Sequence, residues 1–530
     1  MISPLETGTS LAGAALAVPC LFLGSALLAS RRHPFSAARA ATGAAAIVTL
    51  VGLAVGAFAP VGTLPDAALG VRLDLVTAAM LLLVALIAFV IVRYSVTYLH
   101  GDPGQLRYSR WLMVTLAAVS VLVGTDHLGV LAAAWTATSL ALHQLLTFFQ
   151  DRPAAQVAAH KKFLVSRLAD ACLWSGLALL HSGTGTLSLT ELQVWAANLD
   201  GTGTALPHST QAAAFLFAIA ACLKSAQLPF HGWLTQVMEA PTPVSALLHA
   251  GVVNIGGFLM IRLAMVMGAV PSAQLLLVFV GTATAVLAAL VMTTRVSVKV
   301  GLAWSTCAQM GLMLAQCGLG AWHLALLHLL AHSFYKAHAF LSSGSTVEIW
   351  RAQSLLEKAP ATRPGQFAQA TAISLAAVAS VSLAVHALGG GGFGLDLAGS
   401  VLTLVAALAF VPAIAGGLAE GTSALSKVML QVGLLVGLYF GWHAIASDAL
   451  PWTARATAED PAWLLFGGGF VALFIVQSIL RVAPSGALAR RLHPSLFAGF
   501  YLDELFTRMT FRVWPPRLEK TEPPAALPSA

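Results

Sequence analysis

A polytopic, all-α membrane protein is the fold class that this sequence predicts, on three observations. Of its 530 residues 58% are hydrophobic and only 9% charged, against about 25% charged in soluble domains. Apolar runs of about 20 residues, enough to cross a hydrocarbon core of roughly 30 Å as a helix, recur along the whole chain. The basic residues are sorted between alternate connections, as the positive-inside rule requires.

About fifteen such segments can be read in order, at 8–30, 40–60, 74–99, 108–125, 127–149, 161–181, 211–236, 241–268, 273–294, 299–319, 322–348, 366–388, 398–418, 424–446 and 461–481. The leading residues "MISPLETGTS" hold no Lys or Arg, and "RRHP" follows the first segment. That is the pattern of an uncleaved first span with its N-terminus outside, not of a signal peptide. The inside connections and helix ends then collect Arg31, Arg32 and Arg39; Arg93, Arg107 and Arg110; Arg152, Lys161, Lys162 and Arg167; Arg295 and Lys299; Arg351, Lys358 and Arg363; Lys427; and the basic residues from Arg481 onward. The outside connections hold Arg72, Arg262 and Arg455. The expected location is a cell inner membrane, with the C-terminus cytoplasmic.

The chain divides into N-terminal transmembrane helices (1–107), a first repeat (108–268), a second repeat diverged at its end (269–418), C-terminal transmembrane helices (419–483) and a cytoplasmic tail (484–530). The longest outside connection is 183–210. "LGGGGFGLD" reads as a flexible outside turn, and the tail turns Pro-rich and is expected to fray. The five cysteines stand singly, so neither a disulfide framework nor a zinc site is indicated. The net charge of +7 follows from topology and gives no reason to expect a nucleic-acid partner.

Two lysines, Lys224 and Lys336, escape the topological explanation. A charge at mid-bilayer costs about 2.5–3.5 kcal/mol on insertion scales. Such groups face a bundle interior and mark ion or proton paths, or else they snorkel or satisfy a core hydrogen bond. In "HLLAHSFYKA", His328, His332 and Lys336 are four residues apart on one helix face, a row of roughly 12 Å. Histidine donates and accepts a proton near neutrality, and the row reads as a proton wire; His323 and His338 lie off it. Lys224 in "CLKSAQLPFHGW" is followed by Pro229, which breaks a helix; broken helices at membrane depth line cavities or water paths. Pro241 and Pro243 open the next helix, which holds His249 with Glu239 just before it. Lys299 is either part of the path or a topology anchor. Histidines at i and i+4 can also bind a metal, but the chain has no second HxxxH to complete such a site.

At "KSAQLPFHGWLTQVMEAPTPVSALLHA", with "LAWST" and "HLLAHSFYKAHAFLSSGS" further on, the chain resembles the antiporter-like proton-channel family. That family includes subunit L of respiratory complex I and the large subunits of Mrp sodium/proton antiporters. The likeness runs from about 74 to 350 and weakens beyond. It implies two inverted repeats of five helices, each with one broken helix, and protons passing along a central axis of water and side chains. By motif, Lys224, His249, Lys299, His328, His332 and Lys336 match the family's path. "HKKFLVSRLAD" brings Lys161, Arg167 and Asp170.

Two departures qualify the likeness. Family members usually carry a Trp-Glu pair in the fifth span, whose glutamate partners the broken-helix lysine. Here "AWTATSLALHQ" gives Trp135 and Thr136, with His143 two turns on as a weak substitute. The lysine that ends the family's path also has no clear counterpart, the region near 366–394 offering only His386. The ending "GFYLDELFTRMTFRVWPPR" lacks the long lateral helix of subunit L. In this ending, in length and in "MEAPTPVSALLHAGVVN", the chain is similar to the membrane subunits of inorganic-carbon pumps.

What that likeness implies is an ion-translocating transport subunit, not itself an enzyme, carrying protons or sodium ions. Its partner would be a large zinc protein resembling β-carbonic anhydrase, in which CO2 is converted one way to bicarbonate. No cofactor or zinc-ligand set is expected in this chain. The alternatives are a proton-translocating subunit L-like component of an NADH-quinone oxidoreductase and an Mrp-type cation/proton antiporter subunit.

Overall fold

The computed structural model describes residues 4–58, 67–68, 70–72, 74–202, 206–346, 348, 351, 363–387, 397–449 and 458–515. Helices occupy all the expected segments. They are α1 (Pro4–Leu28), α2 (Ser36–Phe58), α3 (Leu75–Tyr98), α4 (Gln105–Gly124), α5 (Leu128–Leu146), α6 (Pro153–Thr184), α7 (Leu189–Thr202), α8 (His208–Lys224), the single turn α9 (Gly232–Thr235), α10 (Thr242–Ala250), α11 (Ile255–Arg262), α12 (Ala264–Gly268), α13 (Pro271–Met292), α14 (Val298–Gly318) and α15 (Trp322–Leu341). After these come α16 (Pro364–Ala387), α17 (Leu397–Glu420), α18 (Thr422–Ala449), α19 (Asp460–Val482), α20 (Ala487–Phe497) and α21 (Leu502–Val513). Among the described residues 11 helices are long and apolar enough to cross a membrane, α10 and α11 together forming one of them. The remaining expected segments are α1, the broken α8, and α14 and α15, whose polar side chains dilute their hydropathy.

Burial is concentrated in the middle of the chain. The span made by α10 and α11 is 94% buried, whereas α18 is 11% buried, so α10 and α11 lie at the centre of the bundle and α18 at its edge. Close approach of α13 and α14 depends on glycine: a Cβ on Gly281 would stand 2.6 Å from the carbonyl oxygen of Gly311. Small residues let helix backbones meet in this way within a membrane. By length α6 exceeds what the hydrocarbon core requires, at about 48 Å, and it ends at Gly185 in the left-handed region (φ 77).

Two of the three basic residues on the connections expected outside, Arg72 and Arg262, are paired. Arg262 Nη1 lies 2.5 Å from Asp74 Oδ2, Arg72 Nε 2.8 Å from the same oxygen, and Arg72 Nη1 3.3 Å from Asp126. Asp126 also accepts from Ser188 and Thr190 at the start of α7. The cluster ties together the start of α3, the α4–α5 connection, α7 and the end of α11. Burial alone would raise the Asp74 carboxyl, but Arg262 and Arg72 hold it well below the usual carboxylate range.

Three expectations need amendment. The long connection at 183–210 contains a helix, α7. The segment from 484 does not fray over its described length: α20 and α21 fold back onto the bundle, and residues 516–530 lie outside the described residues. α16, in the place of the second repeat's broken helix, runs without interruption from Pro364 to Ala387. The side chain of His386 and the turn "LGGGGFGLD" also lie outside the described residues.

Candidate ion-path site

Lys224 is the last residue of α8, where the helix gives way to a non-helical stretch containing Ala226 (φ 50) and Pro229. The break is braced from α13, because Leu228 N donates to Thr284 Oγ1 at 3.2 Å. The Lys224 side chain is buried, and its Nζ has no hydrogen-bond partner among the described residues. It lies 4.4 Å from the centre of the Trp135 ring, a cation–π geometry. Trp135 Nε1 in turn donates to Asp170 Oδ1 at 3.0 Å, and Arg167 Nη2 is 2.7 Å from Asp170 Oδ2. A tryptophan therefore stands between the lysine and Asp170, the carboxylate on α6 that acts on it electrostatically.

The break after Lys224 meets a second interruption. α10 ends at Ala250, and the chain passes through Gly251 and one tight turn, Val252–Asn254, before α11 begins. Ser225 Oγ donates to the freed carbonyl of Val253 at 3.0 Å. Asn254 Nδ2 donates to Ser333 Oγ on α15 at 2.8 Å, and Ser333 follows His332. Residues 224–225, 253–254 and 332–333 thus join the broken helix to the histidine–lysine row through adjacent polar groups. Gly256 permits the approach, since a Cβ there would lie 2.7 Å from the carbonyl oxygen of Ala221.

The row itself faces α14 and α10. His328 Nδ1 is 3.0 Å from Gln316 Oε1, the His328 and His332 rings are 5.9 Å apart, and Lys336 Nζ donates to Ser305 Oγ at 2.8 Å and to the Leu302 carbonyl at 3.1 Å. His249 stacks on Phe340 at 4.2 Å, its Nδ1 lies 3.1 Å from Thr306 Oγ1, and it is an electrostatic neighbour of both Lys336 and His332. His249, His328 and His332 each keep a buried Nε2 with no hydrogen-bond partner among the described residues. A chain of such groups can pass a proton when water or a rotamer change closes the gaps.

The other expected residues are spread more widely. Lys299 Nζ donates to Thr242 Oγ1 at 2.9 Å at the start of α10, one turn of α14 before Leu302, whose carbonyl receives Lys336. Glu239 pairs with Arg152 at the surface, both about half exposed. His143 packs on the Phe163 ring. Its Nδ1 and the buried Thr136 hydroxyl have no hydrogen-bond partner among the described residues. Lys161 Nζ is held by Asp503 (2.9 Å), Gln236 (2.8 Å) and Thr507 (2.5 Å). Asp503 gives no signal in the sequence, because it lies 342 residues from Lys161 in a segment that reads as tail. Gln316, Ser305 and Thr306 are equally silent, being polar residues in "AWSTCAQ" and the turns after it, whose facing helix is known only from the fold.

The fold and this polar core define an antiporter-like membrane subunit. Residues 125–362 match the family model described as NADH:quinone oxidoreductase/Mrp antiporter, and 58–109 match that of the complex I chain 5 N-terminus. A chain of the Mrp complex from Dietzia superposes with a TM-score of 0.61 at 24% identity, covering 96% of this chain and 59% of that one. The probable inorganic carbon transporter subunit DabB of Hydrogenovibrio crunogenus is 40% identical over 517 residues, 95% of this chain and 94% of that protein. NADH-quinone oxidoreductase subunit L of Mycobacterium tuberculosis is 36% identical over 281 residues, 52% of this chain and 43% of that protein. The chain belongs to the DabB family.

Proposed function

We propose that this chain is the proton- (or sodium-) conducting membrane subunit of an energy-coupled inorganic-carbon pump, and that it energises a DabA-like zinc protein in which CO2 and bicarbonate interconvert. It sits in the inner membrane with its N-terminus outside and its C-terminus cytoplasmic. The observation that carries the reading is the polar connection from Lys224 through Ser225, Asn254 and Ser333 to His332 and Lys336, within an otherwise apolar bundle. Ionisable groups kept at such depth cost about 2.5–3.5 kcal/mol each on insertion scales, and such groups mark ion and proton paths. In this reading the cation travels along the side chains and the carbon chemistry belongs to the partner.

Two experiments test this. Inorganic-carbon uptake by cells expressing the chain with its partner should collapse on addition of a protonophore; uptake that persists while a sodium gradient is retained assigns sodium as the ion. Purification of the complex, followed by metal analysis, should find zinc in the co-purifying subunit. A co-purifying set of small membrane subunits without zinc would favour the subunit L-like reading, which the partial likeness to subunit L supports.

A further inference from the structure

One buried titratable group has no part in the path described above. Lys162 on α6 is 2% exposed, and its Nζ donates to the Ser139 carbonyl at 2.6 Å and to Ser139 Oγ at 2.8 Å. Ser139 lies on α5 one turn from Trp135, whose ring carries Lys224. At ~100° per residue, Trp135, Thr136, Ser139 and His143 share one arc of α5 about 100° wide. Two ammonium groups, from α6 and α8, therefore approach the same face of one helix a turn apart. Thr136 Oγ1 and His143 Nδ1, on that face, are buried and without a hydrogen-bond partner among the described residues.

The charged groups facing Lys162 are Lys224 from α8, His143 from α5, and Arg167 and Asp170 from α6 itself. Asp170 is already paired with Arg167. Among the described residues one carboxylate thus serves an arginine and two lysines at membrane depth, a balance that favours a single proton shared between the lysines over two full charges.

We propose that Lys162 is a proton-carrying residue of the path and that it exchanges one proton with Lys224 along the Trp135–Ser139 face of α5. The inference rests on the conduction reading above. In the step, an N–H bond of the Lys162 ammonium breaks and an N–H bond forms at the neutral Lys224 amine. Lys162 is left neutral and is recharged by His143, in the last turn of α5, which takes its own proton from water at that end of the helix. Ser139 suits both states: its carbonyl accepts an N–H from either form, and its hydroxyl accepts from the ammonium or donates to the amine.

The test uses the purified complex in phosphatidylethanolamine/phosphatidylglycerol vesicles enclosing a pH-sensitive dye. Lys162→Met and Lys162→Arg are each expected to lower uncoupler-sensitive proton flux at least tenfold in an assembled complex. Lys162→His is expected to restore part of the flux with its optimum displaced to the acid side. Arginine retains the charge and the donors to Ser139 but does not release its proton; wild-type flux in Lys162→Arg would reduce Lys162 to an anchor and overturn the proposal. An unmoved optimum in Lys162→His would do the same. Should Lys162→Met fail to assemble, Lys162→Arg carries the test. Absence of proton flux in the wild-type complex would remove the proton form of the conduction reading, and this inference with it.

Discussion

The ammonium of Lys224 and the carboxylate of Asp170 are bridged by one side chain, Trp135, which receives the lysine on its ring face at 4.4 Å and donates its indole N–H to Asp170 at 3.0 Å. A direct ion pair would fix the lysine charge more firmly. A ring face supplies a smaller attraction, about 2 kcal/mol when desolvated, and so leaves the charge easier to move. Trp135→Phe keeps a ring, smaller than the indole, beneath the lysine and deletes the donor to Asp170. The expected outcome is a complex less stable by about 1.5–3 kcal/mol with slower carbon uptake, read by thermal unfolding and uptake assays. Wild-type values in both would show that the bridge has no role.

Lys336 is held by Ser305 and a backbone carbonyl on α14, without a carboxylate partner among the described residues. Lys336→Ala is expected to abolish energised uptake and to leave the complex assembled, checked by co-purification of the partner. Retained uptake would exclude Lys336 from conduction.

Thr136 lies beside Trp135, its hydroxyl without a hydrogen-bond partner among the described residues. Thr136→Glu puts a second carboxylate on the face that receives both buried lysines. A carboxylate favours the charged amine, so proton release then requires a more alkaline medium. The pH–uptake profile is expected to move upward by about one unit, and a superimposable profile would place position 136 away from the lysines.

Asp503 anchors α21 to Lys161 and Gln236 and lies against Gly232, where an added Cβ would collide with its carboxylate. Asp503→Asn and Gly232→Ala are both expected to loosen the C-terminal helices, seen as faster limited proteolysis between Val482 and Leu502. Unchanged cleavage in both variants would mean that the stacking of Trp514 on His160, at 3.9 Å, holds the segment by itself.

Asp74 is charged against Arg262 and Arg72, which keep its carboxyl below the usual range despite burial. A carboxyl depressed on folding contributes stability that is present above its unfolded value and lost as pH falls toward the folded one. Asp74→Asn leaves a buried arginine short of its partner, at a cost of about 3–5 kcal/mol. Thermal unfolding is expected to show the full deficit at neutral pH and a narrowing gap in acid; a gap constant down to about pH 3 would contradict this.

Particular residues show how far the sequence can be read. The row His328–His332–Lys336 is legible because a helix imposes its period on any sequence and because ionisable groups are rare in an apolar run. Lys224 with Pro229 is legible for the same reason, rarity against a uniform background. Asp170 can be named as a residue of interest, but not as the carboxylate that meets Lys224 through an indole. Lys162 reads as a topology marker, since a lysine near a helix end has the same local signature whether it snorkels or turns inward. Asp503 is invisible, because nothing local tells a packed amphipathic helix from a fraying tail.

The sequence by itself determined that this is a helical membrane protein, where its spans fall, and which ionisable groups are too costly to be incidental. Those properties follow from hydropathy, helical period and charge, all of which act over a few turns of chain. Only the tertiary structure decided which groups meet: Trp135 between Lys224 and Asp170, Ser225 on the Val253 carbonyl, Asn254 on Ser333, Lys161 on Asp503. Those contacts depend on the packing angle and depth of helices distant in sequence, which are set by the close approach of whole helix surfaces and leave no periodic mark in any one segment.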